Sequence, residues 1–121
     1  MNAISSILLV DDNVVALKVL SALLRALGIS KVREAASAEA ALQILREEKF
    51  SVIVSDYQME GMNGVEFVEF IRAQGDRTPV VMLSGSPDKP GVIRAALQNS
   101  VDFFGKPFRI GELMGAMEKL T

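Results

Sequence analysis

Residues 7–12 read Ile-Leu-Leu-Val-Asp-Asp, a short apolar run that ends on two acids. A second run of this kind, Val52–Asp56, leads through a serine to a third acid. Two further runs end on a hydroxyl and on an ammonium, at Ser84 and Lys106. Short runs rich in valine and isoleucine are typical of buried strands in a parallel sheet. Because ligands bind at the carboxyl ends of such strands, we expect these polar groups to meet at one edge of the sheet.

Strand-like and helix-like segments alternate along the whole chain, without a linker, a repeat or a low-complexity block. We predict strands at residues 7–10, 31–35, 52–55, 80–83 and 101–104, and helices at residues 14–27, 37–48, 65–73, 91–98 and 110–120. Five strand–helix units in this order predict an α/β fold, a three-layer sandwich with a parallel sheet between helices.

The first predicted helix has recognisable signals at both ends. Asn13 can cap its N-terminus, and Gly28 follows its last turn. Its apolar residues recur four apart and give a broad face of the kind that packs on a core. The residues of this face are Val15, Val19, Leu23 and Leu27, with Leu20 and Leu24 beside them.

Composition narrows the classes of function. The chain has 121 residues, half of them hydrophobic, and a formal net charge of −2, which fits one soluble globular domain. It has no cysteine and no histidine, which excludes a disulfide, a thiolate nucleophile, a Ser-His triad and a phosphohistidine carrier. Its basic residues are scattered, and no apolar stretch reaches transmembrane length. We therefore expect a cytoplasmic protein that binds neither nucleic acid nor a membrane directly.

The polar residues at the strand ends predict a phosphoryl-binding site. If Asp11, Asp12 and Asp56 meet, each close pair of carboxylates repels by about 4 kcal/mol at an effective dielectric near 20. A divalent cation such as Mg²⁺, which prefers carboxylate, water and phosphate oxygens, would relieve this repulsion. Lys106 and Ser84 supply an ammonium and a hydroxyl that can contact a bound anion. A carboxylate in such a site can act as the nucleophile and form an acyl phosphate.

The chain resembles the receiver domains of bacterial response regulators in two-component signalling, over essentially its whole length. The resemblance rests on four segments in order, which are LLVDDN, IVSDYQMEGMNG, VMLSGS and DFFGKPF. It implies a flavodoxin-like five-stranded parallel sheet of order 2-1-3-4-5 with five helices. It also implies that residues 1–121 form a single receiver domain, with no effector domain in this chain.

The resemblance assigns a role to each acid. Asp56 resembles the phosphoacceptor, and Asp12 resembles the direct ligand of Mg²⁺, together with Asp56 and the backbone carbonyl of Gln58. Asp11 matches the acid that holds the metal through water. Mn²⁺ is an expected substitute for Mg²⁺ at such a site.

The same resemblance implies a switch. Ser84 matches the hydroxyl that reorients to contact the new phosphoryl group, and Lys106 matches the lysine that pairs with it. Phe103 lies at the aromatic switch position, where the ring turns inward as the hydroxyl moves. The surface around the fourth helix, fifth strand and fifth helix is then expected to change.

Four departures from the family pattern stand out. Glu60 replaces the proline that commonly follows Met59, which predicts a more mobile loop, and Gln58 predicts a modified phosphoryl lifetime. Asn99-Ser100 replaces the usual Gly-Ala, and the segment at residues 87–91 gives the fourth helix an unusual start.

The expected function is a phosphorylation-dependent signalling switch. A histidine kinase or phosphotransfer protein would supply the phosphoryl group, and the domain would catalyse its own aspartyl phosphorylation and dephosphorylation. A downstream target protein would read the result, and the domain would be a monomer or a weak dimer. Three alternatives stay open: a small aspartate-nucleophile phosphatase, a flavin-binding domain, and a receiver-like interaction module that is independent of phosphate.

Overall fold

The structure is a computed structural model that describes residues 4–85, 90, 94, 98 and 101–120. Its strands are β1 (Ser6–Val10), β2 (Lys31–Ala35), β3 (Val52–Asp56), β4 (Val80–Ser84) and β5 (Val101–Gly105). Its helices are α1 (Val14–Ala26), α2 (Ala38–Glu47), α3 (Gly64–Ala73) and α4 (Ile110–Leu120). The predicted elements that fall on described residues are all present, and none of their ends is shifted by more than one residue.

The five strands form one parallel sheet of order β2-β1-β3-β4-β5. This order confirms the predicted topology. The prediction of five helices is not matched, because the described residues contain four helices. The predicted helix at residues 91–98, except residues 94 and 98, lies outside the described part of the chain, as does Asn99-Ser100.

Each face of the sheet carries its own core, because successive side chains of a strand point to opposite faces. On one face, Leu9 of β1 packs in a cluster with Leu24 of α1 and Leu113 of α4. On the other face, Leu8 packs in a cluster with Phe67 of α3. Complete burial of each such side chain contributes about 1.5–3 kcal/mol. These two cores hold the β1, β3 and β4 ends in place and so fix the edge where the polar residues lie.

Helix α1 buries only part of the face that its sequence predicts. The side chains of Val15, Val19, Leu23 and Leu27 are 43–72% exposed. The residues that α1 buries are Leu17, Ser21 and Leu24. The prediction was wrong at the four exposed residues, whereas Leu24, which was predicted beside them, is buried and Leu20 packs against the core. Because α1 is apolar around most of its circumference, periodicity alone did not identify which side of this face contacts the sheet.

Local capping explains where two helices begin. The side chain of Asn13 accepts a hydrogen bond from the backbone N–H of Ala16 at 3.1 Å, as predicted for an N-cap. Asn63 caps α3 and forms a capping box with Glu66. The Asn-x-x-Glu spacing is a sequence signal for this start, and it places the helix one residue earlier than predicted. None of the described helices has both the length and the apolar character needed to cross a bilayer.

Candidate acidic site at the carboxyl edge of the sheet

Strand register brings two of the acids side by side. Val10 of β1 lies opposite Ser55 of β3, and each is followed by an aspartate, Asp11 and Asp56. The backbone N–H of Asp11 donates to the carbonyl of Ala35 at 3.1 Å, which continues the β1–β2 ladder past the end of β1. The two carboxylates therefore emerge from neighbouring strands in the centre of the sheet.

Asp12 completes a cluster of three carboxylates. Asp11, Asp12 and Asp56 each offer an oxygen atom, and these atoms all lie within 4.8 Å of one another. Asp56 is 9% exposed, Asp11 is half-buried and Asp12 is exposed. Hard divalent cations bind oxygen ligands at such spacings, so the donor set fits Mg²⁺. The predicted meeting of the three acids is present.

The pKa of Asp11 is raised above its ordinary value, chiefly because burial disfavours the charged carboxylate. The nearby negative charges of Asp56 and Asp12 raise it further. A hydrogen bond from the backbone N–H of Asn13, at 2.9 Å from Oδ1, and the charge of Lys106 act in the opposite direction. Without a cation, the cluster therefore holds negative charge at an energetic cost.

Lys106 supplies the positive charge of the site. Its Nζ atom lies 2.7 Å from Oδ1 of Asp56, with the two side chains 39% and 11% exposed. Its backbone N–H donates to the carbonyl of Ser84 at 2.9 Å, and the Lys106-Pro107 peptide bond is cis. Ser84 is 4% exposed and ends the strand between those of Asp56 and Lys106. The ammonium and the hydroxyl thus reach the same edge as the acids.

The loop between β3 and α3 forms the other wall of the site. Gln58 and Glu60 line a hollow together with Asp12. The backbone N–H of Glu60 donates to Oδ2 of Asp12 at 3.0 Å. This contact was not foreseen from the sequence, which predicted only that Glu60 would leave the loop more mobile. A proline, which lacks an N–H, could not make it.

The side chain of Phe103 is half-buried and lies beside Tyr57, at the start of the loop between β3 and α3. Its ring meets that of Tyr57 edge-on, with 6.4 Å between the ring centroids. Tyr57 directly follows Asp56, so one aromatic contact links β5 to the residue next to the buried acid. Phe104 packs into the core on the opposite face, in contact with Phe108 at 5.8 Å between centroids.

Comparison with known proteins identifies the family. Residues 7–118 match the family model described as the response regulator receiver domain. The chain belongs to this family. Receiver domains act in two-component signalling, bind Mg²⁺ at an acidic site, and interact with histidine kinases or phosphotransfer proteins and with downstream targets.

Individual relatives agree with this assignment. The chain is 34% identical over 113 residues to the response regulator protein TodT of Pseudomonas putida, which covers 93% of this chain and 49% of TodT. It is 30% identical over 122 residues to the chemotaxis protein CheY-3 of Vibrio cholerae, which covers 99% of this chain and 94% of CheY-3. This receiver domain therefore spans about half the length of TodT and nearly all of CheY-3.

A solved structure extends the similarity to the fold. The receiver domain of the sensor histidine kinase PA1611 from Pseudomonas aeruginosa PAO1 is 30% identical, with a TM-score of 0.82 and 98% of each chain covered. That structure carries a magnesium ion coordinated in its active-site cleft.

Proposed function

We propose that this receiver domain is a signalling switch that accepts a phosphoryl group on Asp56. The observation that carries the proposal is the position of the Asp56 carboxylate, nearly buried, within a cluster of three acids and 2.7 Å from the Lys106 ammonium. A carboxylate in this setting is oriented as a nucleophile and has a cation beside it to receive the charge of the product.

The metal ligands of the proposal are those that the resemblance to receiver domains implies, and the cluster of three acids supports them. Asp12, Asp56 and the backbone carbonyl of Gln58 would hold Mg²⁺ directly, and Asp11 would hold it through water; Mn²⁺ would fit the same oxygens. The bound cation would supply positive charge that offsets the three carboxylates and the incoming phosphoryl group.

The chemical step exchanges one bond to phosphorus for another. A carboxylate oxygen of Asp56 attacks the phosphorus of a phosphohistidine, the P–N bond breaks, and the donor imidazole leaves with its electron pair. Phosphorylation adds roughly −1.5 to −2 charge at neutral pH. Lys106 would turn from the carboxylate to a phosphoryl oxygen, and Ser84 would donate its hydroxyl to another.

The Tyr57–Phe103 contact supports a route from this step to the surface. Movement of Ser84 would open space next to Phe103, because the two residues lie on the paired strands β4 and β5. The ring of Phe103 would then turn inward and leave Tyr57. Shifting a two-state equilibrium from 1:99 to 99:1 requires about 5.5 kcal/mol, which a few charge-assisted hydrogen bonds could largely supply.

The surroundings of Asp56 support a protein as the phosphoryl donor. A largely apolar cavity of about 540 Å³ extends from Asp56 and Lys106 to Leu23 of α1 and to Phe108. A histidine kinase or phosphotransfer protein could cover such a surface while presenting its phosphohistidine. A downstream protein would then bind the surface altered by Phe103.

The decisive experiment is phosphorylation by acetyl phosphate and Mg²⁺, read by intact mass. We expect wild-type protein to gain one phosphoryl group and Asp56→Asn to gain none. Omission of Mg²⁺ should also abolish labelling. Undiminished labelling of Asp56→Asn would exclude Asp56 as the acceptor. Many turnovers of phosphate release per chain from p-nitrophenyl phosphate would favour a phosphatase instead.

A further inference from the structure

The hydrogen bond between Glu60 and Asp12 joins two segments that are 48 residues apart in sequence. Its donor is the backbone N–H of Glu60, and its acceptor is Oδ2 of Asp12, 3.0 Å away. A hydrogen bond to an ionised acceptor is about twice as strong as a neutral one. It also restricts the orientation of a carboxylate that would otherwise rotate freely at an exposed position.

The loop holds this donor in place from both sides. Met59, the residue before Glu60, is 8% exposed and belongs to the core cluster that also contains Phe67 of α3. Gly61, the residue after it, has a φ of +77°, a conformation that favours glycine. The N–H of Gly64 closes the loop by donating to the carbonyl of Tyr57 at 2.8 Å. The direction of the Glu60 N–H is therefore set by the fold rather than by its own side chain.

We propose that the backbone N–H of Glu60 is a positioning group for the metal site. It holds the Asp12 carboxylate towards Asp11 and Asp56 before a cation arrives, so that less reorganisation accompanies binding. Groups that orient a metal ligand from outside the coordination sphere typically change metal affinity by 10–100-fold when removed. This inference rests on the proposed function only in taking Mg²⁺ as the cation of the site.

The chemistry of the donor predicts which substitutions matter. The side chain of Glu60 is exposed, and the hydrogen bond uses only its backbone. Any residue with an N–H can therefore take its place, and proline cannot. Glu60→Pro and Glu60→Ala are a matched pair, because both remove the carboxylate and only the first removes the donor.

The test measures two properties of this pair, neither of which is phosphorylation activity. Calorimetric titration with MgCl₂ gives the affinity, and thermal unfolding in EDTA gives the stability without a cation. We expect Glu60→Pro to bind Mg²⁺ about tenfold or more weakly than Glu60→Ala. We also expect it to unfold at a lower temperature in EDTA. Equal Mg²⁺ affinities of the two variants would overturn the inference.

A double-mutant cycle separates this role from strain that proline could impose on the loop. In an Asp12→Ala background the acceptor is gone, so replacing alanine by proline at position 60 should no longer lower the unfolding temperature. A proline effect of the same size in both backgrounds would show that the loop, and not Asp12, is responsible. That result would also overturn the inference.

Failure of this inference can be distinguished from failure of the proposed function. If the wild-type protein bound no Mg²⁺ at all, the proposed metal site and this inference would both fail. If it bound Mg²⁺ and was phosphorylated on Asp56 while the matched pair behaved identically, only the positioning role of Glu60 would fail.

Discussion

The Nζ atom of Lys106 lies 2.7 Å from Oδ1 of Asp56, although the two residues are 50 positions apart. The side chain of Asp56 is nearly buried, whereas more than a third of the Lys106 side chain is exposed to solvent. This asymmetry lets the lysine leave its partner at little solvation cost, while the acid depends on a nearby positive charge. The pair is thus suited to an exchange in which the ammonium moves to a new anion.

Replacement of Lys106 by alanine should lower the free energy of unfolding in EDTA by about 1–3 kcal/mol, because a nearly buried carboxylate then loses its ammonium. Urea denaturation measures this change. Lys119→Ala, which removes an exposed lysine from α4, should stay within about 0.5 kcal/mol of wild type. Equal stability of the two variants would show that the Asp56–Lys106 contact does not contribute to the free energy of unfolding.

The same Lys106→Ala variant should still bind Mg²⁺, because the acids are untouched, but should lose any conformational response to phosphorylation. Tyr57 is the single tyrosine, and the chain has no tryptophan, so intrinsic fluorescence reports directly on the residue beside Asp56. If the Lys106→Ala variant became phosphorylated by acetyl phosphate and its fluorescence changed as that of the wild type does, the role assigned to Lys106 would be contradicted.

Substitution of Asp11 by asparagine should stabilise the protein at neutral pH in EDTA. The pKa of Asp11 is raised above 3.8 in the folded state, so the unfolded chain loses its proton first as pH rises. The free energy of unfolding therefore falls as the pH rises from 3.8 to the pKa of Asp11 in the folded state. Above that pKa the full destabilisation by the charged carboxylate is present. Urea midpoints from about pH 4 to pH 8 should show the advantage of Asp11→Asn growing with pH. An advantage that was constant or that shrank with rising pH would contradict this electrostatic account; Asp102→Asn, at an exposed position, is the control.

Gly64 should not tolerate a side chain. A Cβ atom there would lie 2.5 Å from the carbonyl oxygen of Asp56 and closer still to Sδ of Met82. We expect Gly64→Ala to destabilise the fold by about 2 kcal/mol or more, because backbone at the acceptor must shift. Gly115→Ala is the matched control, since a Cβ atom there meets nothing within 4 Å and alanine favours a helix by about 0.5–1 kcal/mol. Equal stability of these two variants in urea would show that the close approach at Gly64 is relieved without cost.

The assignment of buried and exposed faces on α1 is open to a direct comparison. Leu24→Ala should lower the free energy of unfolding by about 2–5 kcal/mol, because Leu24 is fully buried. Val19→Ala, at a side chain that is 55% exposed, should change it by about 0.5 kcal/mol or less. The opposite ranking would mean that the stripe identified by periodicity, and not the Leu17–Leu24 face, contacts the sheet.

The alternation of strands and helices and the candidate site residues could be predicted from local sequence patterns, whereas the strand order came from the resemblance to receiver domains. Short apolar runs that end on Asp11, Asp56, Ser84 and Lys106 indicated buried strands and the edge at which they meet. Parallel strands bring their carboxyl ends together whatever the details of packing, so the cluster of acids followed from strand order.

The features that escaped prediction depend on tertiary contacts. Helix α1 contains only two charged residues, Lys18 and Arg25, so its sequence does not distinguish a solvent-facing stripe from a core-facing one. The Glu60–Asp12 hydrogen bond is made by a backbone group, which every residue except proline carries, so no residue type signals it. The close approach of Gly64 to Met82 likewise depends on how α3 lies against β4.

The acids and the ammonium belong to three different strand ends, and the last of them comes late in the chain. Asp11 and Asp56 follow β1 and β3, whereas Lys106 follows β5 at the edge of the sheet. A nascent or truncated polypeptide that stops before β5 would hold its negative groups without their counter-charge. In the proposed function, competence to receive a phosphoryl group would therefore arise only after β5 has joined the sheet.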